Sequence, residues 1–408
     1  MIIKLVGAVN DLLWGDLIIL EFSGGDIQFG LSLLVLILIP AGLYFTFKTR
    51  FLPFRLFPEM IRVTLEKDET KKDENSISGV QALIVATATR VGMGNLAGVV
   101  AAISFGGAGA VFWMWLTALI GSSSSFIEST LAQIYKEKDP LYGGYRGGPA
   151  YVMDRIRLVT KIKREDAFVK NVKEEAEYVA DDEQTYYTRG CKYGLLGTAF
   201  ALSGLLCWAG ISQVIGNSVT TSFQNAFGIP QVATALVLVA MSAVIVLRKN
   251  ATVKVLDMVV PVMAGAYFLV TLFVIFKNIT LLPSVIGNIF SQAFGIRQFA
   301  GGGLGVIVMN GVKRGLFSNE AGMGSTPHAH AVAKVDHPVE QGHAAMIGVF
   351  IDTFVVLTMT ALVIVTTRAL PESYKVVDGG YTAAALSQFA YSLVYGKGGE
   401  IFIAICMF

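Results

Sequence analysis

The sequence predicts an all-α polytopic membrane protein, and three observations carry that reading. Of its 408 residues, 54% are hydrophobic and only 15% charged, against roughly 25% charged in soluble domains. The mean hydropathy is +0.60. Apolar stretches recur along the chain at about the 20 residues a helix needs to cross roughly 30 Å of hydrocarbon. This composition excludes a disordered chain, a coiled coil and a nucleic-acid binder, which needs a basic face. With 32 basic and 30 acidic residues, the net charge of +2 points to no charged partner. Cys191, Cys207 and Cys406 are too scattered for a disulfide framework or a zinc site. Residues 1–7 are short and lack a small-residue cleavage site, so no cleavable signal peptide is expected.

Each span is argued in turn. Residues 31–47 are uncharged and form the first. Residues 80–105 form the second, with one charge at Arg90, and residues 110–127 the third, ending against Glu128. Residues 193–247 are uncharged and long enough for two crossings, divided at the turn signal Gly228-Ile229-Pro230. Residues 258–276 make the sixth. The seventh, 301–335, is apolar but broken by charges and glycines, and the eighth, 346–367, contains Asp352. A ninth candidate begins near Glu400 and stops at Phe408. That is only about 13 Å of helix, so a truncated chain or an incomplete last span is expected.

Lys and Arg set the expected topology. Lys48, Arg50, Arg55, Arg62, Lys67, Lys71 and Lys72 follow the first span, residues 136–192 are rich in both, and Arg248, Lys249 and Lys254 follow the fifth. Loops 106–109 and 226–231 carry none, and 277–300 only Lys277 and Arg297. The alternation places the N-terminus outside and the basic loops in the cytoplasm of a multi-pass cell-membrane protein. The segment 136–192 mixes both signs and is expected to be a solvated cytoplasmic loop with some amphipathic helix.

Two spans cannot be plain helices. Arg90-Val91-Gly92-Met93-Gly94-Asn95 sits in the middle of the second, and Lys313 to Ser325 fills the seventh with small, polar and charged residues. Two close glycines let the backbone unwind, and unwound backbone at membrane depth survives only where it is buried or lines a polar cavity. The two spans lie five apart, and broken helices in corresponding positions of two five-helix halves point to a secondary transporter with inverted repeats. Residues 1–79 are then an extra N-terminal helix with its cytoplasmic connection. Residues 80–276 are the first repeat, and residues 300–408 an incomplete second one. Half-helix N-termini suit a carboxylate, and freed carbonyls suit Na⁺.

Intramembrane charges need partners. Arg90 with Glu320 or Asp352 is expected as a buried pair, either locking two helices or serving transport, and Glu128 is a further candidate. Gln213 and Asn217 lie four apart on one helical face, reaching the cavity or bonding between helices. Ser122 to Ser125 are read as packing residues, since no base lies nearby in sequence. All four histidines fall between His328 and His343. His328 and His330 point to different sides of a helix, and no donor set completes a transition-metal geometry.

At its broken spans the sequence resembles the alanine or glycine:cation symporter family, the sodium/alanine symporters. The stretches that carry the resemblance are Arg90 to Val99, Phe112-Trp113-Met114-Trp115, Arg314 to Ser325, and Gln341-Gly342 followed by Gly348 to Thr353. The resemblance implies a leucine-transporter-type fold of two inverted five-helix repeats with the extra N-terminal helix. It also implies Na⁺-driven uptake of a small neutral amino acid, alanine or glycine, with no cofactor beyond the coupling ion and no catalysis. Carried over, substrate binding falls to Gly92, Gly94, Asn95, Gln213, Asn319, Gly322 and Ser325. The cation falls to Ala88, Val91 and Asn95, with hydroxyls expected just past Phe408. Against the family's pattern, residues 155–190 are longer and more charged, and residues 21–29 look inserted. The alternative reading is a truncated, non-transporting chain or an amino-acid-sensing membrane protein.

Overall fold

Where water is absent, a backbone must satisfy its own N–H and C=O groups, so the apolar runs of this chain are constrained to be helical. The computed structural model describes residues 7–8, 11–22, 27–65, 78–91, 94–139, 144–154, 177–181, 184–188, 194–247, 251–295, 303–376, 381 and 383–408. Among them, four helices are long and apolar enough to cross a membrane: Ala110–Ile134, Leu195–Phe227, Met258–Lys277 and Pro338–Thr366. Shorter apolar helices include Leu33–Lys48, Gly94–Gly106 and Gln231–Ile245. The architecture is an all-α multi-helix membrane fold, with three two-stranded hairpins outside the helices among the described residues.

The chain enters through strands β1 (Ile18–Phe22) and β2 (Ile27–Leu31), paired antiparallel, where residues 21–29 looked like an insertion. Helix α1 (Leu33–Lys48) follows, then α2 (Leu52–Arg55) and α3 (Phe57–Leu65). The second span is helix α4 (Gly79–Val91), a π-helical turn Gly94–Gly98, and α5 (Val99–Gly106). Helix α6 (Ala110–Ile134) runs through the centre and touches α1. In the segment 136–192, β3 (Glu137–Lys138) pairs with β4 (Tyr145–Arg146), and β5 (Glu177–Asp181) with β6 (Gln184–Thr188). Helix there runs over residues 149–154 among the described residues, and most of the stretch where amphipathic helix is expected lies outside them.

Helices α7 (Leu195–Phe227) and α8 (Gln231–Leu247) divide at Gly228, whose φ of +70° ends α7 in a left-handed cap that glycine adopts without strain. Helix α9 (Ala251–Lys277) leads to the amphipathic α10 (Leu282–Ala293). The seventh span is α11 (Gly303–Asn319), a turn, and the short α12 (Thr326–Val332). The eighth is α13 (Pro338–Phe350), a π-helical turn Ile351–Leu357, and α14 (Thr358–Thr366). Helices α15 (Ala369–Val376), α16 (Ala383–Tyr395) and α17 (Lys397–Met407) complete it. Helix α17 is the ninth candidate; α16 escaped notice because it is short and mixes polar with apolar residues.

Small residues let α6 sit at the centre. Gly311 and Gly315 of α11 lie against Ala110, Met114 and Thr117, and Gly342 of α13 lies against Phe126 and Thr130. Such residues are how membrane helices approach closely. Ser122 to Ser125 are all buried in α6, and Ser123 accepts a hydrogen bond from Thr46 of α1 at 2.9 Å. The largest buried apolar cluster joins Val99, Met114, Ile289, Leu357, Ile364, Leu386 and Ile403. Tyrosine and threonine hydroxyls stitch it, Tyr267 to Thr360 and Thr271 to Tyr391, each at 2.6 Å.

Candidate functional site

The site forms where three irregular segments meet. A π-turn carries an extra residue per turn and is frequent at functional sites; one presents Asn95, the other Asp352 and Thr353. The last turn of α11 supplies Ser318 and Asn319. Asn95 Nδ2 donates to Asp352 Oδ1 at 2.7 Å. Thr353 Oγ1 donates to Asp352 Oδ2 at 3.0 Å. Ser318 Oγ lies 3.2 Å from Asp352 Oδ2 and 3.3 Å from Asn95 Oδ1, and its single proton serves one of them at a time. Asn95, Asp352 and Thr353 are fully buried and Ser318 is 1% exposed. Five side-chain oxygens therefore converge in a space closed to water.

Gly94 makes this approach possible. A Cβ there would stand 2.8 Å from both Cα and Oγ of Ser318, so the two broken spans touch backbone to backbone at this point.

The second break is a sharp turn. Glu320, Gly322 and Gly324 all take positive φ, at 53°, 82° and 81°, a region cheap for glycine and costly for a side chain. The amides freed by the turn find a carboxylate: Gly322 N–H donates to Glu128 Oε1 and Gly324 N–H to Oε2, both at 3.2 Å. Ser325 Oγ donates to Glu320 Oε2 at 2.6 Å. Asn319 Oδ1 accepts from the amide of Ala321 at 3.0 Å, while its Nδ2 is buried without an acceptor among the described residues. A buried donor left unmade costs about 1–3 kcal/mol.

The expected residues separate into groups. Asn95 and Asp352 meet directly, Gly94 lies against Ser318, and Asn319 adjoins them as the next residue after Ser318. Gly322, Ser325 and Glu320 belong to the turn, and the Gly322 amide is already engaged by Glu128. Ala88 and Val91 lie in the last turn of α4, whose final carbonyls have no partner within the helix. Gly92 and the side chain of Arg90 lie outside the described residues, so the pairing of Arg90 does too. Gln213 is exposed on α7, and Asn217 with it. The reason is axial: residues 201–217 of α7 are exposed or half-buried on every side and burial resumes only at Ser218, so Gln213 does not join the buried network.

Sequence reasoning missed Ser318 and Thr353 as partners of Asp352. The available signal was their place beside Asn319 and Asp352 in the two polar runs. Glu128 was noticed as a charge but not as a clasp on the turn.

Two of the histidines have structural roles. His330 Nδ1 lies 2.7 Å from Gln341 Oε1, and His337 caps α13, accepting from the Val339 amide at 3.3 Å. Among the described residues no group of three His, Cys, Asp or Glu could hold a metal ion. Just beyond α6, buried Lys136 donates to Gln133 Oε1 at 2.7 Å and to the Ala333 carbonyl at 2.6 Å, and lies over the Tyr145 ring. Burial, with Lys334 nearby, lowers its pKa to about 7.

Two broken helices joined through a buried carboxylate ask for comparison with known carriers. The model of the sodium:alanine symporter family matches residues 8–162 and 167–408. The chain belongs to the sodium:alanine symporter family. Among its relatives, the probable sodium/glutamine symporter GlnT of Bacillus subtilis is 39% identical over 403 residues, covering 98% of this chain and 72% of that protein. The amino-acid carrier protein AlsT of the same organism is 39% identical over 374 residues, covering 91% and 70%. The sodium/alanine symporter AgcS of Methanococcus maripaludis is 32% identical over 401 residues, covering 98% and 78%. The family read from the two broken spans is thereby borne out.

Proposed function

We propose that this family member carries a small neutral amino acid, alanine or glycine, into the cell together with Na⁺ by alternating access. The observation that carries the reading is the contact between the two breaks, Gly94 against Ser318, bridged by Asn95 and Asp352. Sodium-coupled amino-acid transport is also what the names of GlnT and AgcS describe, for glutamine and alanine respectively. The finer architecture is two inverted repeats of the five-helix type, residues 80–276 and an incomplete second one at 300–408, with residues 1–79 as an extra helix and connection. Its support is the placing of a break in the first helix of each half. The basic loops support an N-terminus outside.

In this reading the coupling ion sits among Asp352 Oδ1 and Oδ2, Asn95 Oδ1, Ser318 Oγ and Thr353 Oγ1, with the terminal carbonyls of α4 at Ala88 and Val91 as further candidate ligands. These are hard oxygen donors around one negative charge, which replace the hydration shell of a small hard cation without a soft ligand. The ion compensates the buried carboxylate and ties three separate segments together. The amino acid then meets an ordered backbone at Gly94 and the free Nδ2 of Asn319, a donor for its carboxylate, with Ser325 at the edge of the turn. Gly322 serves by shaping the turn that Glu128 holds, and Gln213 takes no part. Filling the ion site before the substrate site gives coupling, because the substrate's donors are aligned only once the segments are joined.

The test is uptake of labelled alanine by the purified chain in proteoliposomes under an inward Na⁺ gradient. Uptake that follows the gradient is expected. Uptake indifferent to Na⁺ overturns symport, and alanine binding with no uptake favours the sensing alternative.

A further inference from the structure

On the flank of α6 lies a cavity of about 340 Å³, lined by Phe54, Phe57, Leu119, Met346, Phe350 and Phe354 among others. That volume is at the lower end of ligand pockets, about 300–1,000 Å³. Its walls are almost wholly carbon. The hydroxyl of Ser122, which also lines it, is already spent on the Leu119 carbonyl at 2.8 Å. A polar amino acid would find no partner here, whereas hydrocarbon would.

The chain that leads into and out of the lining residues Pro53 and Phe54 is cationic. Arg50 and Phe51 both take left-handed backbone, with φ of 55° and 56°, which turns the chain sharply between α1 and α2. Phe51 is exposed, and so is Phe54, which lines the cavity. Lys48, Arg50 and Arg55 are exposed, and among the described residues none makes an ion pair or a side-chain hydrogen bond. The one acidic residue of residues 48–65, Glu59, is taken by Arg62 at 3.1 Å. Cations without partners among the described residues, flanking the slot's Pro53 and Phe54 in sequence, complement a molecule with a hydrocarbon tail and an anionic head.

We propose that this groove is a binding site for an anionic phospholipid, one acyl chain lying between Phe54, Leu119 and Phe354 and the phosphate facing Arg50 and Arg55. Basic residues beside a membrane helix attract anionic headgroups in this way, and the positive-inside arrangement assigns the site to the cytoplasmic leaflet. The ligand fills a flank between α2, α3, α6 and α13, apart from the site of Asn95 and Asp352. It braces the α2–α3 arm against the two most deeply packed spans.

Native mass spectrometry of the full chain in detergent, titrated with phosphatidylglycerol or with phosphatidylcholine of the same acyl chains, tests this. The chain is expected to retain phosphatidylglycerol in preference, and Arg50→Gln with Arg55→Gln to reduce that preference about thirtyfold, as for two surface cations near anionic lipid. Both substitutions are at exposed positions outside the helix packing. Leu119→Trp, which fills the slot, is expected to weaken retention of both lipids. Equal retention of the two lipids by the wild type, an unchanged preference in the double variant, or occupation of the groove by a second copy of the chain would overturn the proposal.

Discussion

Gly94→Ala probes the contact between the two breaks with a single methyl group. The added Cβ would lie 2.8 Å from Ser318 Cα, 0.6 Å inside the 3.4 Å at which ordinary contact begins. Because one of the clashing atoms is backbone, rotating a side chain gives no relief, and α11 or the first π-turn must shift. Overpacking of this kind costs about 1–3 kcal/mol. A shift of that size carries the Ser318 hydroxyl, now 3.2 Å from Asp352 and 3.3 Å from Asn95, out of hydrogen-bonding range of both. If the cost falls on the ion-bound state, half-saturating Na⁺ rises by about 5- to 150-fold. Labelled alanine uptake into proteoliposomes across a Na⁺ series measures it, with thermal unfolding to confirm that the chain is folded. Gly210→Ala, which meets nothing within 4 Å, is the control and should behave as wild type. A Gly94→Ala protein with unchanged Na⁺ dependence would refute the argument that this contact builds the ion site.

Four further outcomes are expected. Asp352→Asn keeps the shape but removes the charge, so uptake should lose its Na⁺ dependence while the protein remains folded by thermal unfolding. Asn319→Ala removes the spare donor, and alanine affinity measured by equilibrium binding should fall about 10- to 100-fold, the worth of a hydrogen bond to a charged group. Glu128→Gln leaves one oxygen to serve two amides; the initial uptake rate should drop about tenfold, with partial rescue by Glu128→Asp. Lys136 titrates near 7 in the folded chain against an ordinary 10.5. Between those values the unfolded chain holds the extra proton, so stability rises with pH across that window and levels off below it. Unfolding midpoints at pH 7 and 9 should show that rise, and Lys136→Met should flatten it.

Hydropathy and glycine placement made much of this molecule legible. Residues 31–47 and 110–127 became Leu33–Lys48 and Ala110–Ile134, because an uncharged run in hydrocarbon has few alternatives to a helix. Gly228 divided its two spans as expected, and the polar run from Lys313 to Ser325 did break. The form of the irregularities was not legible. A π-turn at 351–357 leaves no composition signature, since Ile351–Leu357 reads as ordinary apolar helix around one acid. Partners far apart in sequence were equally hidden: Asn95 meets Asp352 257 positions away and Glu128 meets Gly322 194 away. Gln213 looked like a site residue because face-sharing with Asn217 says that two side chains point together, but not toward what.

The N-terminal strands have a mechanical consequence. Lys313 Nζ of α11 donates to the Trp14 carbonyl and to Asp16 Oδ1, each at 2.9 Å, and Trp14 meets Phe317 edge-on at 6.3 Å. Val35 of α1 shares a sealed apolar cluster with Leu304, Val308, Val312 and Leu316 of α11. Hairpin, α1 and α11 are thus bolted into one lever, while α12 follows it through the glycine turn that Glu128 grips. Any tilt of α11 drags the N-terminal arm along, so a spectroscopic label on the hairpin would report the stroke of a helix whose working end is buried.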